Sequence, residues 1–160
     1  MSMFSVSVQE ADFDLGAEVA ALTGADRSCG AVASFVGVVR DRNDGSHVAG
    51  MTLEHYPGMT EKALADIVEQ ARGRWPLIGA RVIHRVGPLH PGDNIVLVAV
   101  STAHRGEAFA ACEFIMDYLK THAPFWKRED TPEGGRWVDA RESDDSAMAR
   151  WGDGENSPME

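Results

Sequence analysis

The spacing of apolar positions changes along the chain, and each change marks an element. Phe4 to Val8 alternates apolar and polar residues and predicts a short strand. Leu15 to Leu22 has helical spacing, with Asp12 or Asp14 placed to cap it and Gly24 to stop it. Gly30 to Arg40 is a β-branched, largely apolar run and predicts a mostly buried strand that ends at Arg40, beside a loop. The next residues, 41–46, are dense in turn formers. Val48 to Tyr56 predicts a second strand, with Met51, Leu53 and His55 on one face. Pro57-Gly58 breaks it, and Thr60 opens a helix to about Trp75 whose stripe is Ala63, Leu64, Ile67, Val68, Ala71 and Trp75. Ala80 to Val86 alternates Val82, His84 and Val86 against Arg81, Ile83 and Arg85. The run 87–93 (G-P-L-H-P-G-D) predicts a rigid turn. Ile95 to Val100 is the most apolar strand and therefore central. A long helix follows, with Ala108, Cys112, Ile115 and Leu119 as its buried stripe, Phe109 and Met116 beside them, and Pro124 as its stop. Arg136-Trp137-Val138 predicts a last short strand. From about Ser143 the chain turns polar and acidic, so residues 1–142 are expected to form one domain and 143–160 a disordered tail. The order of elements predicts an α+β fold.

Charge changes the picture in one place. The 160 residues carry 15 Lys+Arg against 25 Asp+Glu, a formal net charge of −10. That argues against nucleic acid and against an anionic membrane surface as partners. No apolar run is long enough to span a bilayer, and residues 1–10 do not read as a secretory signal, so a cytoplasmic location is expected. Six histidines and two cysteines show no metal-binding spacing, so neither a metal nor another cofactor is expected. Against the acidic background the long helix is cationic at both ends: His104 and Arg105 open it, Lys120 and His122 close it, and Lys127 and Arg128 follow at once.

Each cationic position has a chemical account and a plainer one. His104 and Arg105, at a helix start with free N–H groups, suit a phosphate; spacing alone leaves a solvated polar pair slightly ahead. Lys120 sits where the helix dipole favours a cation and says little by itself. Lys127 follows Phe125 and Trp126, and a lysine desolvated by aromatic walls becomes a nucleophile, acid or base; an amphipathic side chain passing over Trp126 explains the pattern more simply. Arg40, at a strand end, suits an oxyanion, though an ordinary strand-end arginine is favoured by position. Cys112 lies on an apolar stripe and is expected to be a core thiol, and Cys29 has no base near it in sequence. His55 and His84 lie in strands, where hydrogen-bonded core histidines are the common case. The residues alone lead to an α+β domain with a cationic pocket for an anionic small molecule.

Five motifs carry the reading further. V-G-V-V-R at 36–40, T-L-E-H-Y-P-G-M-T-E at 52–61, V-I-H-R-V-G-P-L-H-P-G-D at 82–93, S-T-A-H-R at 101–105 and F-I-M-D-Y-L-K-T-H-A-P-F-W-K-R-E at 114–129 resemble the catalytic large subunit of molybdopterin synthase, in that family's order. The resemblance runs from about Ala31 to Glu142. It implies an α/β hammerhead with an additional antiparallel sheet. It also implies a homodimer within a heterotetramer, each large subunit binding a small ubiquitin-like sulfur-carrier subunit. The partner's Gly-Gly terminus, activated as a thiocarboxylate, would give sulfur to cyclic pyranopterin monophosphate, and two transfers would form the dithiolene. The family's substrate-contacting positions fall on Val38, Val39, Arg40, His104, Arg105, Lys120, Lys127, Arg128 and Glu129. The expected roles are phosphate binding for Arg40, His104 and Arg105, the partner's terminus for Lys120 and the pterin for Lys127, with either lysine moving protons.

Helix length adds a constraint. Arg105 and Lys120 are 15 residues apart on one predicted helix, roughly 22 Å at about 1.5 Å per residue. Either the helix breaks or its ends serve two pockets of a dimer. The dimer is the preferred reading, with Arg141 expected to join the shared pocket. The competing class is a non-catalytic module that binds a ubiquitin-like tail, for which Lys127 is dispensable. A phosphate-handling hydrolase is third, with no nucleophile–base pair to support it.

Overall fold

The computed structural model describes residues 3–43, 46–47, 49–131, 134–138 and 142–152. In chain order its first elements are β1 (Phe4–Gln9), α1 (Leu15–Ala25), β2 (Ala31–Val38), β3 (Arg42–Asn43), β4 (Ser46–His47), β5 (Gly50–His55) and α2 (Met59–Arg74). They are followed by β6 (Leu77–Arg85), β7 (Gly87–Leu89), β8 (Asn94–Thr102), α3 (Arg105–His122), β9 (Phe125–Thr131), β10 (Gly134–Val138) and α4 (Glu142–Ala149). The architecture is α+β, as the pattern of apolar positions predicted. One sheet has the order β1-β6-β8-β2, with β1 parallel to β6 and the other pairs antiparallel. The other is antiparallel throughout, in the order β10-β9-β5-β7. Among the described residues, β3 and β4 pair only with each other.

β8 is internal to its sheet and apolar on both faces because helices cover both. Val96, Val98 and Val100 meet α2 and α3 in the main core. Leu97 and Ala99 meet Leu22 of α1 on the other side. The same cover explains the Arg81, Ile83 and Arg85 face of β6. Ile83 there is buried with Leu22. Arg81 reaches the edge of that layer, where its Nε donates to Glu18 at 3.0 Å. Burying sheet residues on both sides is the main stabilising term, about 25 cal/mol per Å² of apolar surface.

Four expectations are corrected. Gly24 does not end α1: the helix runs on to Ala25 and stops at Asp26, whose carboxylate accepts from Ser28 N at 2.8 Å. The 87–93 turn is strand for its first three residues, because β7 pairs with β5 through Thr52 and Pro88. Phe109 does not join the stripe of α3: it is 66% exposed, whereas Ala108, Cys112, Ile115 and Leu119 are buried as expected. Last, α4 occupies the start of the expected tail. Met148 and Trp151 pack against the main core. Arg74 donates to the Trp151 carbonyl at 2.7 Å, Trp151 Nε1 donates to Asp117 at 2.7 Å, and Tyr118 Oη donates to the Gly152 carbonyl at 2.9 Å. Two apolar side chains and these bonds are enough to fold a segment whose average composition is polar. The rest of the expected tail, 153–160, lies outside the described residues. Among the described residues no helix is long and apolar enough to cross a membrane.

A candidate active site at the two ends of α3

The start of α3 is built by a close approach of backbone to backbone. Gly30 N donates to the Thr102 carbonyl at 2.9 Å. A Cβ at Gly30 would lie 2.2 Å from the Ala103 carbonyl oxygen, so only glycine fits there. Thr102 Oγ1 donates to the His104 carbonyl at 2.6 Å, which holds the chain just before the first turn. His104 is the N-cap and makes no side-chain capping bond. The first-turn N–H groups are therefore not capped by it, and they face an open cavity of about 550 Å³ lined by Gly30, Ala103, His104, Arg105 and Gly106. Helix dipole, first-turn N–H groups that His104 leaves uncapped and an exposed guanidinium suit an anion.

The other end of α3 meets the second sheet. The helix stops at Ala123, and β9 begins two residues later at Phe125. Thr60, fully buried at the start of α2, donates to the Pro124 carbonyl at 3.3 Å and pins this junction. Along β9 the side chains alternate. Phe125 packs into both cores and stacks on His84, and Glu129 is 3% exposed. Trp126, on the opposite face, packs against Tyr56 at 4.9 Å. Lys127 thus shares the face of Phe125 and Glu129. Its side chain is one-third exposed, with Nζ 4.0 Å from Glu129 Oε2. The expected wall from Trp126 is not what it meets; a buried carboxylate is.

His84 is the histidine at this seam. Burial pushes its pKa down to about 4, against a raising contribution from the Arg85 carbonyl, and the charges of Lys120 and His55 lower it further. Lys120, itself exposed, is therefore near enough for its charge to act on the ring. Cys112, buried on α3, is pushed up to about 11 by burial and then by the Glu113 charge, as suits a core thiol.

Arg40 is held through its neighbour. Val39 N donates to the Asp93 carbonyl at 2.9 Å, and Gly92 N donates to the Val39 carbonyl at 2.8 Å. The Val39 side chain is buried with Met51 and Leu53, the β5 residues that pair with Glu129 and Lys127. Val38 is exposed, and so is Arg40. Of the predicted site residues, the structure brings Lys120 close enough to act on His84, pairs Lys127 with Glu129 on β9, and buries Val39, next to Arg40, with the β5 residues opposite them. His104 and Arg105 lie at the far end of an unbroken 18-residue helix. Arg128 is exposed on the face opposite Lys127. Arg141 lies outside the described residues. Sequence reading passed over Gly30 and the role of Phe125. The one available signal was the alternation that turns His84 inward with Val82.

A family profile described as MoaE protein matches residues 8–122. The chain belongs to the MoaE family. It is 69% identical over 150 residues to the molybdopterin synthase catalytic subunit of Ralstonia nicotianae, covering 94% of this chain and 85% of that one. The solved structure of the MoaE protein from Burkholderia ambifaria superposes with a TM-score of 0.81 at 59% identity, covering 95% of this chain and 99% of that one. Molybdopterin synthase from Staphylococcus aureus superposes at 0.74 and 31% identity, covering 86% and 98%. The MoaE fold, with its helix-flanked sheet and additional antiparallel sheet, is thus the hammerhead arrangement implied by the five motifs.

Proposed function

We propose that this MoaE-family chain is the catalytic subunit of a molybdopterin synthase. It moves sulfur from the C-terminal thiocarboxylate of a small ubiquitin-like subunit to cyclic pyranopterin monophosphate. Two such transfers make the dithiolene, and each leaves the partner's terminus as a carboxylate. The observation that carries the reading is that the last turn of α3, with Lys120, runs through a short junction into β9, with Lys127, in a chain 69% identical to a protein of that name. Two lysines and an exposed Arg40 suit a reaction whose donor and acceptor are both anionic.

The proposed division of roles is as follows. Arg40, with the exposed Val38 and the backbone of Val39 beside it, binds the acceptor's phosphate. Lys120 meets the partner's terminus, and Lys127, aligned by Glu129, meets the pterin. Either lysine, within reach of the reacting sulfur, moves a proton. Arg128 flanks the pocket from the outer face of β9. His104 and Arg105 bind the phosphate of the neighbouring protomer's substrate, and Arg141 joins them. The two free thiols, Cys29 and Cys112, accord with a cytoplasmic location.

The test is reconstitution. The chain is incubated with the thiocarboxylated partner and cyclic pyranopterin monophosphate, and dithiolene pterin is measured. Product is expected from the wild type. Lys120→Ala and Lys127→Ala should each lower the rate by at least about a hundredfold, while the partner still binds. A wild type that binds the partner and makes no product would be a tail-binding module, and the proposal would fail.

A further inference from the structure

The proposed reaction leaves His84 without a task, yet it is a firmly held polar side chain close enough to Lys120 to feel its charge. It is 6% exposed, in a wall otherwise built from residues such as Val82, Val96 and Phe125. Its Nδ1 lies 2.8 Å from the Arg85 carbonyl. A carbonyl only accepts, so Nδ1 carries the proton in that bond. One face of the ring stacks on Phe125, with centroids 3.7 Å apart and planes 17° from parallel. The backbone beneath is held on both sides, because β6 pairs with β1 at Val8 and with β8 at Val96.

Phe125 brings β9 to this contact. It is the first residue of β9, and the turn before it is short: Ala123 N donates to Leu119 O at 3.3 Å, and Phe125 N to Ala123 O at 2.8 Å. Lys120 precedes Phe125 by five residues and Lys127 follows by two. The direction in which the chain leaves α3 therefore fixes how far apart the two ammonium groups stand.

We propose that His84 is a positioning residue for both lysines: its stack with Phe125 sets where β9 departs from α3, and so the separation of Lys120 from Lys127. The inference rests on the reading of those lysines as the reacting pair. Imidazole suits the place for two reasons. Its Nδ1–H satisfies the Arg85 carbonyl, which an apolar ring leaves unpaired. Held neutral by its burial, it presents a flat ring near Lys120 without adding a second positive charge. It touches neither donor nor acceptor in this account.

The test uses the full chain with its thiocarboxylated partner. His84→Ala and Phe125→Leu both remove the stack, and His84→Phe restores it without the nitrogens. Misplacement of a reacting group by about 1 Å lowers rates by up to about a hundredfold, so kcat for dithiolene formation should fall about ten- to a hundredfold in the first two variants. The KM for the acceptor and the affinity for the partner should stay within about twofold, and His84→Phe should recover most of the lost kcat. Wild-type kcat in folded His84→Ala overturns the proposal, and so does a loss confined to KM. Equal loss in His84→Phe and His84→Ala also overturns it, because the ring nitrogens would then be what matters. Where His84→Ala does not fold, Phe125→Leu decides by the same criteria. A wild-type chain inert in this assay overturns the functional reading itself, and this one with it.

Discussion

Burial decides the charge of His84, and the charge decides a pH dependence. The folded protein holds this imidazole at a pKa of about 4, against 6.5 for an unperturbed one. Between those values the unfolded chain binds a proton that the folded chain refuses, so stability rises with pH across that window. The contribution is fully present above about pH 6.5 and is lost as pH falls toward about 4, amounting to about 3 kcal/mol in all. Thermal melts of wild type and His84→Phe at several pH values check this. The variant should lose less stability than wild type between pH 7 and pH 4, and equal slopes would refute the assignment. The position of His84 was legible in the alternation of Val82, His84 and Val86. Its neutrality was not, because the groups that impose it arrive from α3 and β9.

At the scale of elements, the turn at 90–93 is a second positioning device, for Arg40. Its Gly92 has φ +93°, which other residues reach only with strain, and a Cβ there would meet nothing within 4 Å. Gly92→Ala therefore changes backbone strain and little else. It should destabilise the fold by about 1 kcal/mol and raise the KM for the phosphate-bearing acceptor severalfold. In an Arg40→Ala background the KM effect should vanish, and a KM effect that persists there would show that the turn acts through something other than Arg40. The sequence marked this stretch as a rigid turn through its two prolines and glycines, but hid β7 within it. Three residues containing Pro88 do not look like a strand, and they pair only because β7 lies at the sheet edge, where a missing N–H is tolerated. β9 was hidden for a different reason. Lys127 to Asp130 is charged on both faces, so period two has no apolar signal to carry. The burial of Glu129 appears only once β5 lies alongside. The long helices were legible because one apolar stripe each meets one layer.

At the scale of the molecule, the length of α3 separates the two cationic clusters. The helix is unbroken from Arg105 to His122, so the alternative of a break is gone and Arg105 and Lys120 stand roughly 22 Å apart. A single small anion does not bridge them within one chain. β2 is an edge strand of its sheet, and α3 packs beside it. Phe35 on β2 and Phe109 on α3 are 43% and 66% exposed. An edge strand and exposed aromatic rings, with Phe109 one turn along α3 from Arg105, fit a surface that a second copy covers. We therefore expect each pocket to take Lys120 and Lys127 from one protomer and His104 and Arg105 from the other. Refolding an equimolar mixture of Arg105→Ala and Lys120→Ala chains measures this. In a symmetric dimer half the mixtures are hybrids, and each hybrid has one pocket free of both changes, so activity should return to about a quarter of wild type. Sites built within single chains leave every pocket damaged, and a mixture as inactive as its two parents would rule the shared pocket out.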